Sequence, residues 1–257
     1  RNSGSAESYC RIPALIMRVI AVIQARMGST RLPGKVMRDI AGRPMIDYVV
    51  GRARQMSETD ETIVATSTLD REEPLVEHLR EEEIPVLRGP EEDVLSRYVQ
   101  VAETQGAGAV VRLTADCPLL MPKVSDEVVR VFRESECDYA SNTLERTYPR
   151  GLDTEVVTTE ALIRSDQEAS NPADREHVTR YIRRHSEKFE LHSVTDEADR
   201  SDLRWTVDGE ADLKFVRRVY EALGARAMDA DYEDVLAVLE ERPEWADINR
   251  QVEQKKC

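Results

Sequence analysis

The residues with the most evident chemistry lie between Val19 and Lys35. In VIAVIQARMGSTRLPGK an apolar run stops abruptly in a loop that carries Arg26, Arg31 and Lys35 among small residues. Gly28 and Gly34 permit unusual backbone torsions, Ser29 and Thr30 offer hydroxyls and amides, and Pro33 stiffens the exit. Backbone N–H groups can therefore converge on an anion. Three fixed positive charges beside such a nest suit a triphosphate better than a single carboxylate. The competing reading is a plain solvated turn, which leaves this density of Gly and cations after a buried strand without a purpose.

The loop is not a Walker A motif. That motif places four residues between its first Gly and Gly-Lys, and follows the Lys with a Ser or Thr for magnesium. Here Ser29 to Pro33, five residues, separate Gly28 from Gly34-Lys35, and Val36 follows. Metal ligands must come from elsewhere in the chain. Asp116, in Thr114-Ala115-Asp116-Cys117-Pro118, is the leading one. A carboxylate at a strand end, facing the same crevice as the basic loop, can bind Mg²⁺, which accepts few protein carboxylates beside phosphate oxygens. Its alternative role is to cap the helix after Pro122. Cys117 has no neighbouring His in sequence to activate it and reads as a small buried thiol.

These groups need elements that bring strand ends together. Strands at 19–24, 61–66, 84–87 and 109–113 alternate with helices at about 42–56, 72–82 and 91–104, with 36–40 a short extended return. Such alternation predicts βαβ units and a mostly parallel, helix-covered sheet. Thr66 and Ser67 end the second strand, where an open parallel sheet binds ligands; their hydroxyls suit a base or ribose, or the cap of the next helix. Asp93 and Arg97 lie four apart on one helical face and read as a surface ion pair. Short extended pieces follow over 137–159, then a helix at 174–185. The run 203–208 reads as a strand ending in a second carboxylate, Asp208, before a helix at 210–223. Two further helices are expected at 232–241 and 244–252.

QARMGSTRLPGKV resembles the signature loop of the CMP-sugar synthetases, the cytidylyltransferases that activate 3-deoxy-manno-octulosonate and sialic-acid-like sugars. The spore-coat polysaccharide (SpsF-like) branch is the nearest in pattern. RLTADCPLL, YPRGLDTEV, DREHVTRYI and LRWTVD extend the likeness from Met17 to about Leu223. The resemblance implies a Rossmann-like α/β fold of the nucleotide-diphospho-sugar transferase kind. It implies a Mg²⁺-dependent reaction of CTP with a small sugar acceptor, giving a CMP-sugar and pyrophosphate for surface polysaccharide or glycoconjugate synthesis.

By the same resemblance, Gln24, Ala25, Arg26, Gly28, Ser29, Arg31 and Lys35 contact the nucleotide, and Asp93 and Arg97 approach the pyrimidine; Thr66 and Ser67 join the nucleotide set on their strand-end position alone. Arg26, Lys35, Asp116 and Asp208 form the catalytic set, and Asp116 and Asp208 hold the metal. Asn142, Arg150, Asp153, Glu155 and His177 stand near the acceptor, His177 as a hydrogen-bond partner or an aid to proton removal. Without the resemblance Arg150-Gly151 is a turn, Asp153 a turn carboxylate, Asp208 a helix cap and His177 structural. One departure touches geometry: the family pattern reads VDTPEDL where this chain has VDGEADL, so Gly209 leaves the following helix less firmly capped. The segment at about 137–200 is expected to face the acceptor and to form part of a homodimer contact.

At 257 residues without a Gly/Pro/Ser-rich linker, the chain predicts one domain over 17–257, behind a loose extension at 1–16 that would make Met17 the natural start. A formal net charge of −14 disfavours nucleic acid as a partner. Cys10, Cys117, Cys137 and Cys257 show no CxxC pairing, as expected of reduced thiols in the cytoplasm. The apolar run from Ile12 to Ile23 is broken by Pro13 and Arg18 and is too short for a membrane span. Rival readings are a sugar-1-phosphate nucleotidyltransferase, a glycosyltransferase of similar sheet architecture and a nucleotide-binding regulatory protein. The glycosyltransferase reading lacks a D-x-D pair, since Ala115 and Cys117 flank a lone Asp116.

Overall fold

The computed structural model of the chain describes residues 17–252. The extension expected at 1–16 lies outside the described residues. In chain order the elements are β1 (Val19–Gln24), β2 (Asp39–Ile40), β3 (Arg43–Pro44), α1 (Met45–Ala53), β4 (Glu61–Ser67), α2 (Glu73–Glu81), β5 (Val86–Gly89), α3 (Val94–Gln105), β6 (Ala109–Thr114), α4 (Pro122–Ser135), β7 (Tyr139–Ser141), β8 (Glu155–Thr158), α5 (Thr159–Glu168), α6 (Pro172–Glu176), α7 (Arg180–Arg184), β9 (Leu191–Ser193), α8 (Glu210–Leu223) and α9 (Tyr232–Glu241).

Seven strands form one sheet in the order β5-β4-β1-β6-β8-β7-β9. β5, β4, β1 and β6 run parallel, and β8 enters antiparallel between β6 and β7. β1 is apolar at successive positions because helices cover both faces. Val19, Ala21 and Ile23 join the core shared with α1, α4 and α8, whereas Ile20 and Val22 join the core shared with α3 and α5. From β1 the chain steps outward to β4 and β5, then crosses back to lay β6 on the other flank of β1. That reversal opens a crevice beyond the carboxyl ends of β1 and β6, the place where open α/β sheets bind ligands.

Several local expectations change. Lys35–Met37 is a 3₁₀ turn, so only Asp39–Ile40 of the 36–40 return is extended, and the first helix starts at Met45. The segment 203–208 forms no strand: β8 already occupies the free flank of β6, and the segment makes one bridge, Arg150 to Arg204. The helix expected at 174–185 breaks into α6 and α7 around Val178, which sits at φ 46°. A 3₁₀ turn at Pro243–Asp247 replaces the helix expected at 244–252. Gly209 does not leave α8 frayed, because the Asp212 carboxylate accepts the amides of Asp208 and Gly209 at 2.9 and 3.0 Å. Among the described residues no helix is long and apolar enough to cross a membrane.

Candidate active site

The crevice is a cleft of about 470 Å³. One wall is the basic loop, with Gln24, Arg26, Gly28, Ser29, Arg31 and Lys35. Arg112 and Asp116 come from β6 and its exit, Arg150 and Asp153 from the segment before β8, His177 from the break between α6 and α7, and Asp208 from the turn into α8. A second hollow of about 590 Å³ is rimmed by Glu127, Asp196, Asp231 and Glu233, a charge that repels phosphate.

The loop keeps several of its amides for itself. Ser29 N–H and Gly34 N–H both donate to Met27 O, Leu32 N–H to Ser29 Oγ, and Lys35 N–H to Leu32 O. Gly34, at φ 67°, supplies the left-handed residue that closes this turn. The amides of Ser29, Leu32, Gly34 and Lys35 are thus turned inward and not left to a backbone nest of the kind expected from sequence, whereas the side chains of Arg26, Ser29 and Arg31 line the cleft.

At the floor of the cleft Lys35 joins the two carboxylates. Its Nζ donates to Asp116 Oδ2 at 2.8 Å, to Asp208 Oδ1 at 3.1 Å and to Val207 O at 2.8 Å. The turn bearing Asp208 is pinned to the turn bearing Asp116, since Val207 N–H and Thr206 Oγ1 both donate to Asp116 O at 2.7 and 3.1 Å. Asp208 Oδ2 lies 2.9 Å from Arg31 Nη2 and accepts from Arg204 Nη2 at 2.7 Å. Burial pushes the Asp116 carboxyl up, but the charge and hydrogen bond of Lys35 outweigh it and hold the group at about 2. Asp208 is lowered against its burial by the same ammonium. Burial opposes the Lys35 charge, and the two carboxylates raise its pKa nonetheless.

Two ionised carboxylates that converge on one cation position form a hard oxygen donor set of the kind Mg²⁺ accepts. Among the described residues no three His, Cys, Asp or Glu side chains gather in metal-holding geometry, so an ion held by this pair would need its remaining oxygens from phosphate and water.

On the other side of the cleft Arg112 projects from mid-strand β6 and is held by Glu155. Glu155 Oε1 also accepts from Tyr139 Oη at 2.5 Å and Thr179 Oγ1 at 2.6 Å. Burial raises the Glu155 carboxyl, yet Arg112 and Arg183 together with these hydrogen bonds hold it at about 2. Burial lowers the His177 imidazole below its ordinary 6.5, against Glu176 and with Arg112, leaving it neutral at pH 7. Arg146 clamps Asp153 through both oxygens at 2.6 and 2.7 Å. Burial pushes the Cys117 thiol well up, which fits a packing role.

Several residues singled out from sequence stand behind the cleft instead of in it. Ala25 and Ser67 are buried, and Thr66 Oγ1 donates to Glu72, whose Oε2 also takes the Met27 amide. Asp93 does not pair with Arg97. It caps α3 through the Ser96 amide and bonds Arg175, while Arg97 is buried with Nε and Nη1 unpartnered. Asn142 bonds Leu152 O and the Thr154 amide, and Glu155 faces Arg112. Sequence reasoning missed Arg112, Arg204 and Asp212. For Arg112 the signal was a charge inside the apolar run VVRLT, which only a buried partner makes tolerable.

An α/β sheet whose switch point gathers a basic loop and paired carboxylates has the parts that nucleotidyl transfer requires, and the family match places the chain among the nucleotidyltransferases. A family model described as cytidylyltransferase matches residues 20–233, and the chain belongs to the cytidylyltransferase family. It is 32% identical over 235 residues to the spore coat polysaccharide biosynthesis protein SpsF of Bacillus subtilis, covering 89% of this chain and 96% of that one. A cytidylyltransferase structure from Leptospira borgpetersenii superposes with a TM-score of 0.86 at 28% identity, covering 94% of this chain and all of the other. The 3-deoxy-manno-octulosonate cytidylyltransferase of Acidobacterium capsulatum is 38% identical over 108 residues, 41% of this chain and 42% of that protein.

Proposed function

We propose that the chain transfers the cytidylyl group of CTP to a hydroxyl of a small sugar, releasing pyrophosphate and a CMP-sugar for cytoplasmic steps of surface polysaccharide or glycoconjugate synthesis. The observation that carries this reading is the meeting of Lys35, Asp116 and Asp208 beneath the loop of Arg26 and Arg31. Nucleotidyl transfer asks protein groups to hold a triphosphate, neutralise its charge and aim an acceptor oxygen at the α-phosphorus. Arg26, Arg31 and Lys35 clamp the phosphates and stabilise the departing pyrophosphate, and Gln24, Gly28 and Ser29 shape the wall beside them. Asp116 and Asp208 hold Mg²⁺, which when bound neutralises phosphate charge and lowers the pKa of a nearby hydroxyl.

Arg150 and Asp153 orient the sugar, and neutral His177 accepts a hydrogen bond from one of its hydroxyls. Glu155 and Asn142 act from behind, by aiming Arg112 and by tying down 152–154. Ala25, Thr66, Ser67, Asp93 and Arg97 support the nucleotide side through the strands and helix that carry the loop. Kinship with a polysaccharide biosynthesis protein and with a 3-deoxy-manno-octulosonate cytidylyltransferase supports a sugar acceptor. The acceptor-side segment at about 137–200 also pairs two copies of the chain; the exposed Leu144 and the edge strand β9 support that contact.

Incubation with Mg²⁺, each nucleoside triphosphate in turn and a panel of sugars tests the proposal by pyrophosphate release. Release with CTP and a sugar, and its loss in Lys35→Ala, is expected. Release only with another triphosphate, or an unchanged rate in Lys35→Ala, overturns it.

A further inference from the structure

The Lys35 ammonium has three N–H donors, and all three are spent: on Asp116 Oδ2, on Asp208 Oδ1 and on Val207 O. In this arrangement none is left for a phosphate. The side chain is only 11% exposed, so water does not share these contacts freely. Asp208 is further neutralised at its other oxygen by Arg31 and Arg204. The pair of carboxylates that forms the metal-accepting set is thus already filled by a cation of the chain itself.

We propose that Lys35 is the resident counter-ion of the Asp116–Asp208 pair and yields it to a divalent cation only when a triphosphate arrives, so that metal and nucleotide enter as one coupled event. The proposal rests on the reading of Asp116 and Asp208 as metal ligands. A divalent ion alone meets an ammonium already seated between the carboxylates and is repelled by it. A triphosphate brings oxygens that take over the hydrogen bonds of both Lys35 and Arg31, and charge-assisted contacts to phosphate match those they give up. The carboxylates are then released to the incoming ion. The reciprocity of binding free energies requires that the metal raise nucleotide affinity by the same factor.

Mn²⁺ binding without turnover tests this, counted by electron paramagnetic resonance of the free ion. The chains compared are wild type, Lys35→Met and the double variant Asp116→Asn/Lys35→Met. Without nucleotide, wild type is expected to bind Mn²⁺ at least tenfold more weakly than Lys35→Met. The double variant is expected to lose that gain. A CTP analogue with a methylene between the α- and β-phosphorus atoms should tighten Mn²⁺ binding in wild type far more than in Lys35→Met. Equal Mn²⁺ affinity in wild type and Lys35→Met overturns the exchange. A double variant that binds as tightly as Lys35→Met shows that the ion sits elsewhere, and then the metal reading itself fails. Should Lys35→Met not fold, Lys35→Gln keeps amide donors while losing the charge, and the same outcomes decide.

Discussion

Arg204 holds Asp208 and Asp212 with one guanidinium, Nη2 lying 2.7 Å from Asp208 Oδ2 and Nε 2.9 Å from Asp212 Oδ1. Asp212 is fully buried, and Asn249 Nδ2 bonds both its Oδ1 and the Arg204 carbonyl. The carboxylate that reaches the cleft is therefore aimed from behind by a fork with no slack. Arg204→Met leaves the buried Asp212 without its cation and is expected to cost about 3–5 kcal/mol in urea unfolding. Lysine restores little, because one ammonium cannot reproduce the two-pronged geometry. A loss below about 1 kcal/mol would show the network to be ornamental.

Asp116→Asn keeps the shape of the side chain and removes its charge. Turnover, read as pyrophosphate release, is expected to fall by about two to three decades, the scale of losing one preorganised electrostatic contact. Far-ultraviolet circular dichroism should be unchanged. Wild-type turnover would refute the assignment.

Glu155 gives the fold a pH signature. Its folded pKa is depressed from 4.5 to about 2, so the stability it supplies is complete above pH 4.5 and drains away as pH falls towards 2. The depression corresponds to on the order of 3 kcal/mol. Glu155→Gln lacks this titration. The stability gap between wild type and Glu155→Gln should be wide at pH 6 and close as pH drops below 4. A gap independent of pH would mean that the Arg112 pair contributes nothing in the folded state.

Gly151 and Gly28 make a matched contrast. Gly151 sits at φ 109°, and a Cβ there would lie 2.6 Å from Thr206 N and 2.7 Å from Trp205 C. Gly151→Ala must push the 204–208 segment, and Asp208 with it, away from the turn at Arg150 and Gly151. It is expected to cost about 1–3 kcal/mol from torsion alone and more from the backbone clash. For a Cβ at Gly28 the three nearest atoms all belong to the guanidinium tip of Arg71, the first at 2.9 Å, and that tip can swing aside. Gly28→Ala should hold its thermal midpoint within a few degrees, whereas Gly151→Ala should not.

Strands buried on both faces announce themselves, which is why β1 and β6 and the loop leaving β1 could be read from VIAVIQ and AVVRLT. Asp116 and Asp208 were both read as strand-end carboxylates, but Asp208 follows no strand: LRWTVD has strand composition and finds no ladder to join, β8 having taken the flank of β6. Sequence placed Glu155 beside the acceptor. It could not show that the alternation along β8 points the carboxylate at Arg112, forty-three positions earlier in the chain. The same holds for Asp93, whose spacing to Arg97 mimics a surface pair while its backbone position makes it a helix cap. Arg204, Asp212 and Asn249 left no local pattern, because the network that makes them matter exists only in three dimensions.

The order of strands also sets an order of melting. β1 lies between two parallel ladders, one of six and one of five residue pairs, whereas β9 borders β7 alone, through three. Opening fluctuations start where neighbours are fewest. The β9 edge should therefore exchange its amide hydrogens well before β1 does, and gentle warming should yield a species whose outer strand has come away while the basic loop still hangs from an intact centre.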